Sequence, residues 1–383
     1  MFRAKAMPAS RKHAGILTYR LKRTLLEWVS AILLSIGLAI LAGELTLRLS
    51  SLKVTTILNG VYFSEHPQYF RDQHNAFGYE PFSSNREGAV YSDYKNAWVE
   101  YDVVFSVNNA GLVQRRTIDA SERYTVLVGD SFMHGLGSRP WFYDLEESLP
   151  SLRLANLGVP GTGIQHWSKA VAWFEHLHAP VKKVGVILIA DDFFRPYWIA
   201  RRSERGVAFC YEDQCGNVFI KHQAVDPQTL IEQWYEEPQS GSANTDWVRE
   251  KIRAIVVKLR LGEWAINLKR SLMASKARDY FELNKNSFIE LAETHTLAFV
   301  LHLPEKQEAL SNKWSSESIE ARAFLKANGV NYIDGMEMCP LTGDDFYRSD
   351  DHPNTIGYKK IQHCVANLLA DEELSTQRMT AAR

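Results

Sequence analysis

The chain has 383 residues, of which 45% are hydrophobic, 11% aromatic and 23% charged, with a formal net charge of −1. That is enough apolar material for one large core or two modest ones, and with a charge so near zero the composition does not suggest a nucleic-acid partner. The balance is uneven along the chain. Arg3, Lys5, Arg11, Lys12, Arg20, Lys22 and Arg23 all precede the first acid, Glu27, and the chain from Leu45 onward is net acidic.

Trp28 to Gly43 is uncharged and mostly apolar, and Leu25, Leu26 and Leu45 extend it to about 20 residues, the length of a membrane span. We read residues 27–47 as a single-pass anchor and residues 1–26 as a basic cytoplasmic leader, with everything after about Leu49 outside the cytoplasm. The rival readings are a cleaved signal peptide and a buried core helix. The leader is long and no small-x-small pair follows the apolar run, which favours an uncleaved anchor.

Residues 48–120 read as a stalk with a small β-containing part. Ser50 to Asn75 carries few regular signals. Short strands are expected at Ala89–Tyr91 and Val103–Val107, the latter ending in the turn Asn108-Asn109-Ala110-Gly111. From Tyr124 a β/α alternation begins: strand Thr125–Val128, helix Trp141–Leu149, strand Leu152–Leu157, helix Gln165–Leu177 stopped by Pro180, and the near-continuous apolar strand Val184–Ile189. Residues 198–246 are polar and read as an excursion from the sheet. Trp247–Phe281 and Phe288–His295 read as helical, Leu297–Leu303 as a strand, Ile319–Asn328 as a helix, Val330–Ile333 as a strand and Ile356–Leu369 as the final helix. The expected fold is an α/β three-layer sandwich over 121–371 with a central, mostly parallel sheet, then a tail at 372–383.

Two motifs carry chemistry. Val126-Leu127-Val128 runs into Gly129-Asp130-Ser131, which places a hydroxyl at the carboxyl end of a sheet strand, where open α/β folds keep their sites. Asp350-Asp351-His352-Pro353-Asn354 supplies carboxylates and an imidazole just before the last helix. A serine, a histidine and an aspartate are the parts of a nucleophile, its base and the group that orients the base. The blander readings are Ser131 as a helix cap, His352 as a surface histidine, Asp351 as a cap or solvated acid and Gly161 as a turn glycine. His134 reads as structural, and Phe193, Phe194, Tyr197 and Trp198 as core in preference to a sugar platform.

Four blocks in this order resemble the SGNH or GDSL hydrolase superfamily: Gly129-Asp130-Ser131, Asn156-Leu157-Gly158-Val159-Pro160-Gly161, Ile189-Ala190-Asp191-Asp192 and Asp350-Asp351-His352-Pro353-Asn354. The resemblance covers about Tyr124 to Leu369. It implies a serine esterase with catalytic Ser131, His352 and Asp350 and an oxyanion hole from the backbone N–H groups of Ser131 and Gly161 and the side chain at position 191, here Asp191. No cofactor or metal is implied. The anchor and the turn at Asn108–Leu112 resemble exported bacterial members that act on acyl groups of cell-surface or periplasmic glycans. That would place the chain in the inner membrane with its catalytic domain outside the cytoplasm and an acyl ester or glycan as substrate. An O-acyltransferase working beside a multi-span acyl exporter is the alternative, and a glycan- or partner-binding member without turnover is a third reading.

The chain departs from the family pattern twice. The usual Asp-x-x-His would put the acid at Ser349; Asp350 gives Asp-x-His, a spacing that resembles some periplasmic polysaccharide O-acetyltransferases. Position 191 is Asp where the family has Asn, and an ionised Asp only accepts hydrogen bonds. Of the cysteines, Cys210 and Cys215 read as a disulfide closing a small turn, whereas Cys339 and Cys364 fit a second bridge or two buried thiols.

Overall fold

The computed structural model describes residues 35, 39, 42, 59–64, 70–71, 76–92, 96–203, 206–211, 214–222, 226–236 and 278–381. The expected anchor at 27–47, apart from the helical Ser35, Ala39 and Ala42, and the expected helix Trp247–Phe281 as far as position 277 lie outside them. The chain divides into two compact units, Met1–Ile57 with Ser240–Leu272 and Leu58–Gln239 with Met273–Arg383; the elements below belong to the second. Among the described residues no helix is long and apolar enough to cross a membrane.

The strands in chain order are β1 (Asn59–Ser64), β2 (Phe70–Arg71), β3 (Ala76–Phe77), β4 (Ser84–Ser92), β5 (Ala97–Ser106), β6 (Tyr124–Gly129), β7 (Leu154–Gly158), β8 (Val181–Leu188), β9 (Ile199–Ser203), β10 (Gly206–Tyr211), β11 (Gln214–His222), β12 (Leu297–His302) and β13 (Tyr332–Asp334). Five of them form a parallel sheet in the order β13-β12-β8-β6-β7. Alternation along β6 sorts its side chains between two cores. Val126 and Val128 pack with Trp167, Val171 and Phe174 of the helix Ile164–Leu177 and with Phe281 and Phe288 of the helix at 278–294. Leu127 faces the opposite way, toward Phe142 and Leu145 of the helix Phe142–Ser148 and Ile361 and Val365 of the helix Thr355–Ala381. Helices thus cover both faces, and both faces of the strands are apolar, as a covered parallel sheet requires. The chain leaves β6 for β7 on one side and returns to β8 on the other, so the carboxyl end of β6 is a topological switch point.

A second, six-stranded sheet has the order β5-β4-β1-β11-β10-β9. The segment expected to be a featureless stalk contributes β1, which lies inside this sheet between β4 (antiparallel) and β11 (parallel). The polar stretch read as an excursion contributes β9, β10 and β11, which complete the same sheet. Cys210 is disulfide-bonded, and its cross-strand neighbour in the β10–β11 register is Cys215. Cys339 and Cys364 form a disulfide, with Cα atoms 5.6 Å apart, that ties the helix Gly335–Met338 to the last helix.

Candidate functional site

The switch point holds the first block. Asp130, and not Ser131, caps the short helix Ser131–His134: its Oδ1 accepts the Phe132 N–H at 2.8 Å. Ser131 is therefore the first helical residue, buried, with its hydroxyl free for other partners. The helix starts this close to the sheet because position 129 lacks a side chain; a Cβ there would lie 2.5 Å from the Ile187 carbonyl oxygen and 2.6 Å from Met133 Cβ. His134 is buried one turn on, 2.7 Å from the Tyr79 hydroxyl, and burial pulls it down to about 3, so it stays neutral.

The last block returns from the far end of the chain to the same point. His352 Nε2 lies 2.8 Å from Ser131 Oγ. On the other side of the ring, Nδ1 hydrogen-bonds Asp350 Oδ1, which also accepts the His352 backbone N–H at 3.1 Å. The one-residue spacer works because the loop is folded tightly: the Tyr347 N–H donates to His352 O, and Phe346 bridges to Pro353. Asn354 then caps the last helix, its Oδ1 accepting the N–H groups of Ile356 and Gly357. Asp351 points outward, 81% exposed and 3.7 Å from Lys306 Nζ. Burial disfavours the Asp350 charge, but His352 and the hydrogen bonds around the carboxylate outweigh it and hold Asp350 at about 2. Burial also works against a charged His352, and Asp350 outweighs that, raising the imidazole above its ordinary value.

The second sheet grips this loop. The hydroxyls of Tyr91 on β4 and Tyr101 on β5 each donate to Asp350 Oδ2 at 3.1 Å, and that of Tyr62 on β1 lies 3.3 Å from the same oxygen and 2.9 Å from the Tyr91 hydroxyl. Glu100 Oε1 accepts the Ser349 N–H at 2.8 Å. From the opposite side, Lys306 Nζ donates to the carbonyls of Arg348 and Asp350 at 2.9 and 3.3 Å. Burial first, and then the Asp350 charge, push all three tyrosines up, so they remain neutral donors.

The second and third blocks line the other flank. Gly161 has φ +72°, a left-handed conformation suited to glycine, and its carbonyl accepts Trp198 Nε1–H at 2.7 Å. Its N–H donates to no acceptor among the described residues. Asn156 shapes the preceding turn by accepting the Gly158 N–H and donating to Val113 O. Asp191 turns outward. Its carboxylate is 57% exposed and accepts Arg195 Nε–H at 3.0 Å, an orientation that offers no hydrogen to an oxyanion. Asp192 is buried, accepts the Ile189 N–H and lies 2.9 Å from Arg195 Nη1. Burial and Asp130 push the Asp192 carboxyl up, against the pull of Arg195. Arg195 Nη1 also donates to Asp130 Oδ2 at 2.7 Å and Thr162 O at 3.0 Å. Phe193 and Trp198 are buried, and Phe194 stacks on Phe281, which makes these aromatics core.

The structure brings together Ser131, His352 and Asp350, which sequence reading named, with Tyr62, Tyr91, Tyr101 and Arg195, which it did not. A faint signal existed: tyrosine at inward strand positions needs a hydrogen-bond partner, whereas valine or isoleucine does not. Among the described residues no group of His, Cys, Asp or Glu side chains is arranged to hold a metal ion.

No family model and no curated protein matches this chain. Among solved structures it is similar to a member of the lipolytic protein G-D-S-L family from Veillonella parvula DSM 2008, at 13% identity and a TM-score of 0.29, over 64% of this chain and 97% of that one.

Proposed function

We propose that this chain is a serine esterase that hydrolyses acyl esters through Ser131, His352 and Asp350. One observation carries the reading: a serine hydroxyl at the carboxyl end of a central parallel strand, 2.8 Å from an imidazole nitrogen whose partner nitrogen is bonded to a buried carboxylate. His352 Nε2 would take the Ser131 proton as Oγ attacks the ester carbonyl. The N–H groups of Ser131 and Gly161 would receive the developing oxyanion. As the C–O bond breaks, the imidazolium would return the proton to the departing alcohol, leaving an acyl-serine. Water, deprotonated by the same imidazole, would then release the acid and restore Ser131. Asp350 would hold the productive tautomer and offset the imidazolium charge.

Ser131 Oγ also lies 3.1 Å from Asp130 Oδ2, a competing acceptor for its proton. Arg195 Nη1 donates to that same oxygen at 2.7 Å and so competes for it. The Asp-x-His spacing favours a second reading, transfer of the acyl group to a sugar hydroxyl in place of water, with a multi-span exporter supplying the acyl donor. For either reaction we place the site outside the cytoplasm on an anchor at 27–47, in keeping with the basic leader and with disulfides, which persist in oxidising compartments. A fluorophosphonate should label the purified full chain at Ser131 and fail to label Ser131→Ala. A folded wild-type chain that resists the reagent would overturn the proposal.

A further inference from the structure

We propose that the second sheet is part of the catalytic apparatus, with Tyr91 and Tyr101, backed by Tyr62, acting as positioning residues that fix Asp350 and through it orient His352. The inference rests on the esterase reading for its meaning, but not for its test. With only one residue between acid and base, Asp350 spends Oδ1 on the backbone and ring of His352. Oδ2 is then a buried carboxylate oxygen with no partner in its own loop, a costly arrangement unless donors are supplied from elsewhere. The three hydroxyls supply them, one from each of the adjacent strands β5, β4 and β1. A hydroxyl has one proton, so the distances describe Tyr91 and Tyr101 donating to Oδ2, with Tyr62 donating to Tyr91 or to Oδ2.

The choice of tyrosine has a physical reason. A lysine or arginine at this place would also anchor the carboxylate, but it would cancel the charge that supports the imidazolium. A neutral hydroxyl fixes the carboxylate's direction and leaves its charge in place. Other charged and titratable groups surround the pair: Asp130 after β6, His134 on the following helix, Arg195 beyond the third block, Glu87 on β4 and Glu100 on β5. Lys306 precedes Arg348 and Asp351 of the loop itself, and Tyr347 and Tyr358 flank it.

The test follows His352 in the full chain carrying ¹³C-labelled histidine rings, with His352→Gln to assign its signal. Titration by NMR would compare wild type, Tyr91→Phe, Tyr101→Phe and the double variant, with Tyr143→Phe as control, since that hydroxyl bonds Ser106 and not Asp350. Removing donors makes Asp350 more basic, so His352 should hold its proton to higher pH by about half a unit or more. Hydrolysis of 4-nitrophenyl acetate should fall about tenfold in kcat, equal to ~1.4 kcal/mol, with KM unchanged and the acid limb shifted upward. An unchanged His352 titration in the double variant would reduce the tyrosines to packing and overturn the inference. A shifted titration in a protein whose Ser131 never reacts would leave the positioning role standing and overturn the esterase reading instead.

Discussion

At the scale of single residues, the hydrogen-bonded relay makes sharp predictions because, in the proposed reaction, its members would act as a unit. Ser131→Ala and His352→Ala should each lower turnover of an aryl acetate by about 10⁴-fold or more, with the double variant little worse than either. Independent, multiplying losses would show that the two do not share a step. Asp350→Asn should cost about 10³–10⁴-fold, because the amide favours the wrong tautomer, whereas the outward-pointing Asp351→Asn should be nearly silent. In the proposed reaction the neutral imidazole is the base, and Asp350 raises His352 against the effect of burial. Activity should therefore be present at and above that raised value and fall as pH drops through it, and a rate–pH profile with no acid limb would contradict this. Asp191→Asn removes one arm of a half-exposed ion pair, worth ~0–1 kcal/mol, and should leave the profile unmoved. A large gain would mean that the side chain turns inward during turnover. Ser131, His352 and Asp350 were legible because their chemistry is written in short motifs. Tyr62, Tyr91 and Tyr101 were not, because contacts spanning 249 to 288 positions leave no local mark.

At the scale of elements, the site depends on glycine at a close approach, Gly129, and at a left-handed turn, Gly161. Gly129→Ala would force a methyl against the Ile187 carbonyl and Met133 Cβ, costing about 1–3 kcal/mol and displacing Ser131. Gly161→Ala meets nothing closer than Trp198 at 3.9 Å, so its cost is the left-handed backbone, about 1–2 kcal/mol. Calorimetry should show the first as the more damaging, and similar melting temperatures would contradict the close-packing argument. Strands of the parallel sheet were readable to within a few residues. Expected Leu297–Leu303 is β12 at Leu297–His302, and expected Val184–Ile189 is β8 at Val181–Leu188. Val184–Leu188 and Ala298–Leu301 are buried on both faces and therefore apolar without a break, whereas Lys182 and Lys183 hide the start of β8. β9, β10 and β11 escaped because strands such as Ile199-Ala200-Arg201-Arg202-Ser203 carry polar residues in succession and hide the period of two. The final helix was expected to stop at Leu369 and continues to Ala381; its last turns are polar and carry too little apolar signal to be extended from sequence.

At the scale of the whole molecule, the Cys339–Cys364 bridge closes a loop with a sequence separation of 25 immediately around the acid–base segment. In the chain-entropy account such a closure is worth about 3.5 kcal/mol. Cys339→Ser with Cys364→Ser should lower stability by roughly that amount in denaturant titrations, and a change within error would assign the bridge no stabilising role. The relay itself joins residues 221 positions apart, and its tyrosine support reaches back 288 positions. A ribosome therefore delivers the hydroxyl and the tyrosines long before the carboxylate they await. Until Asp350 and His352 emerge, Ser131 lacks its hydrogen-bond partner from that loop. Non-local closures of this kind are also slow. In refolding experiments, reactivity toward a fluorophosphonate should return after the far-ultraviolet circular dichroism signal, as the final event of assembly.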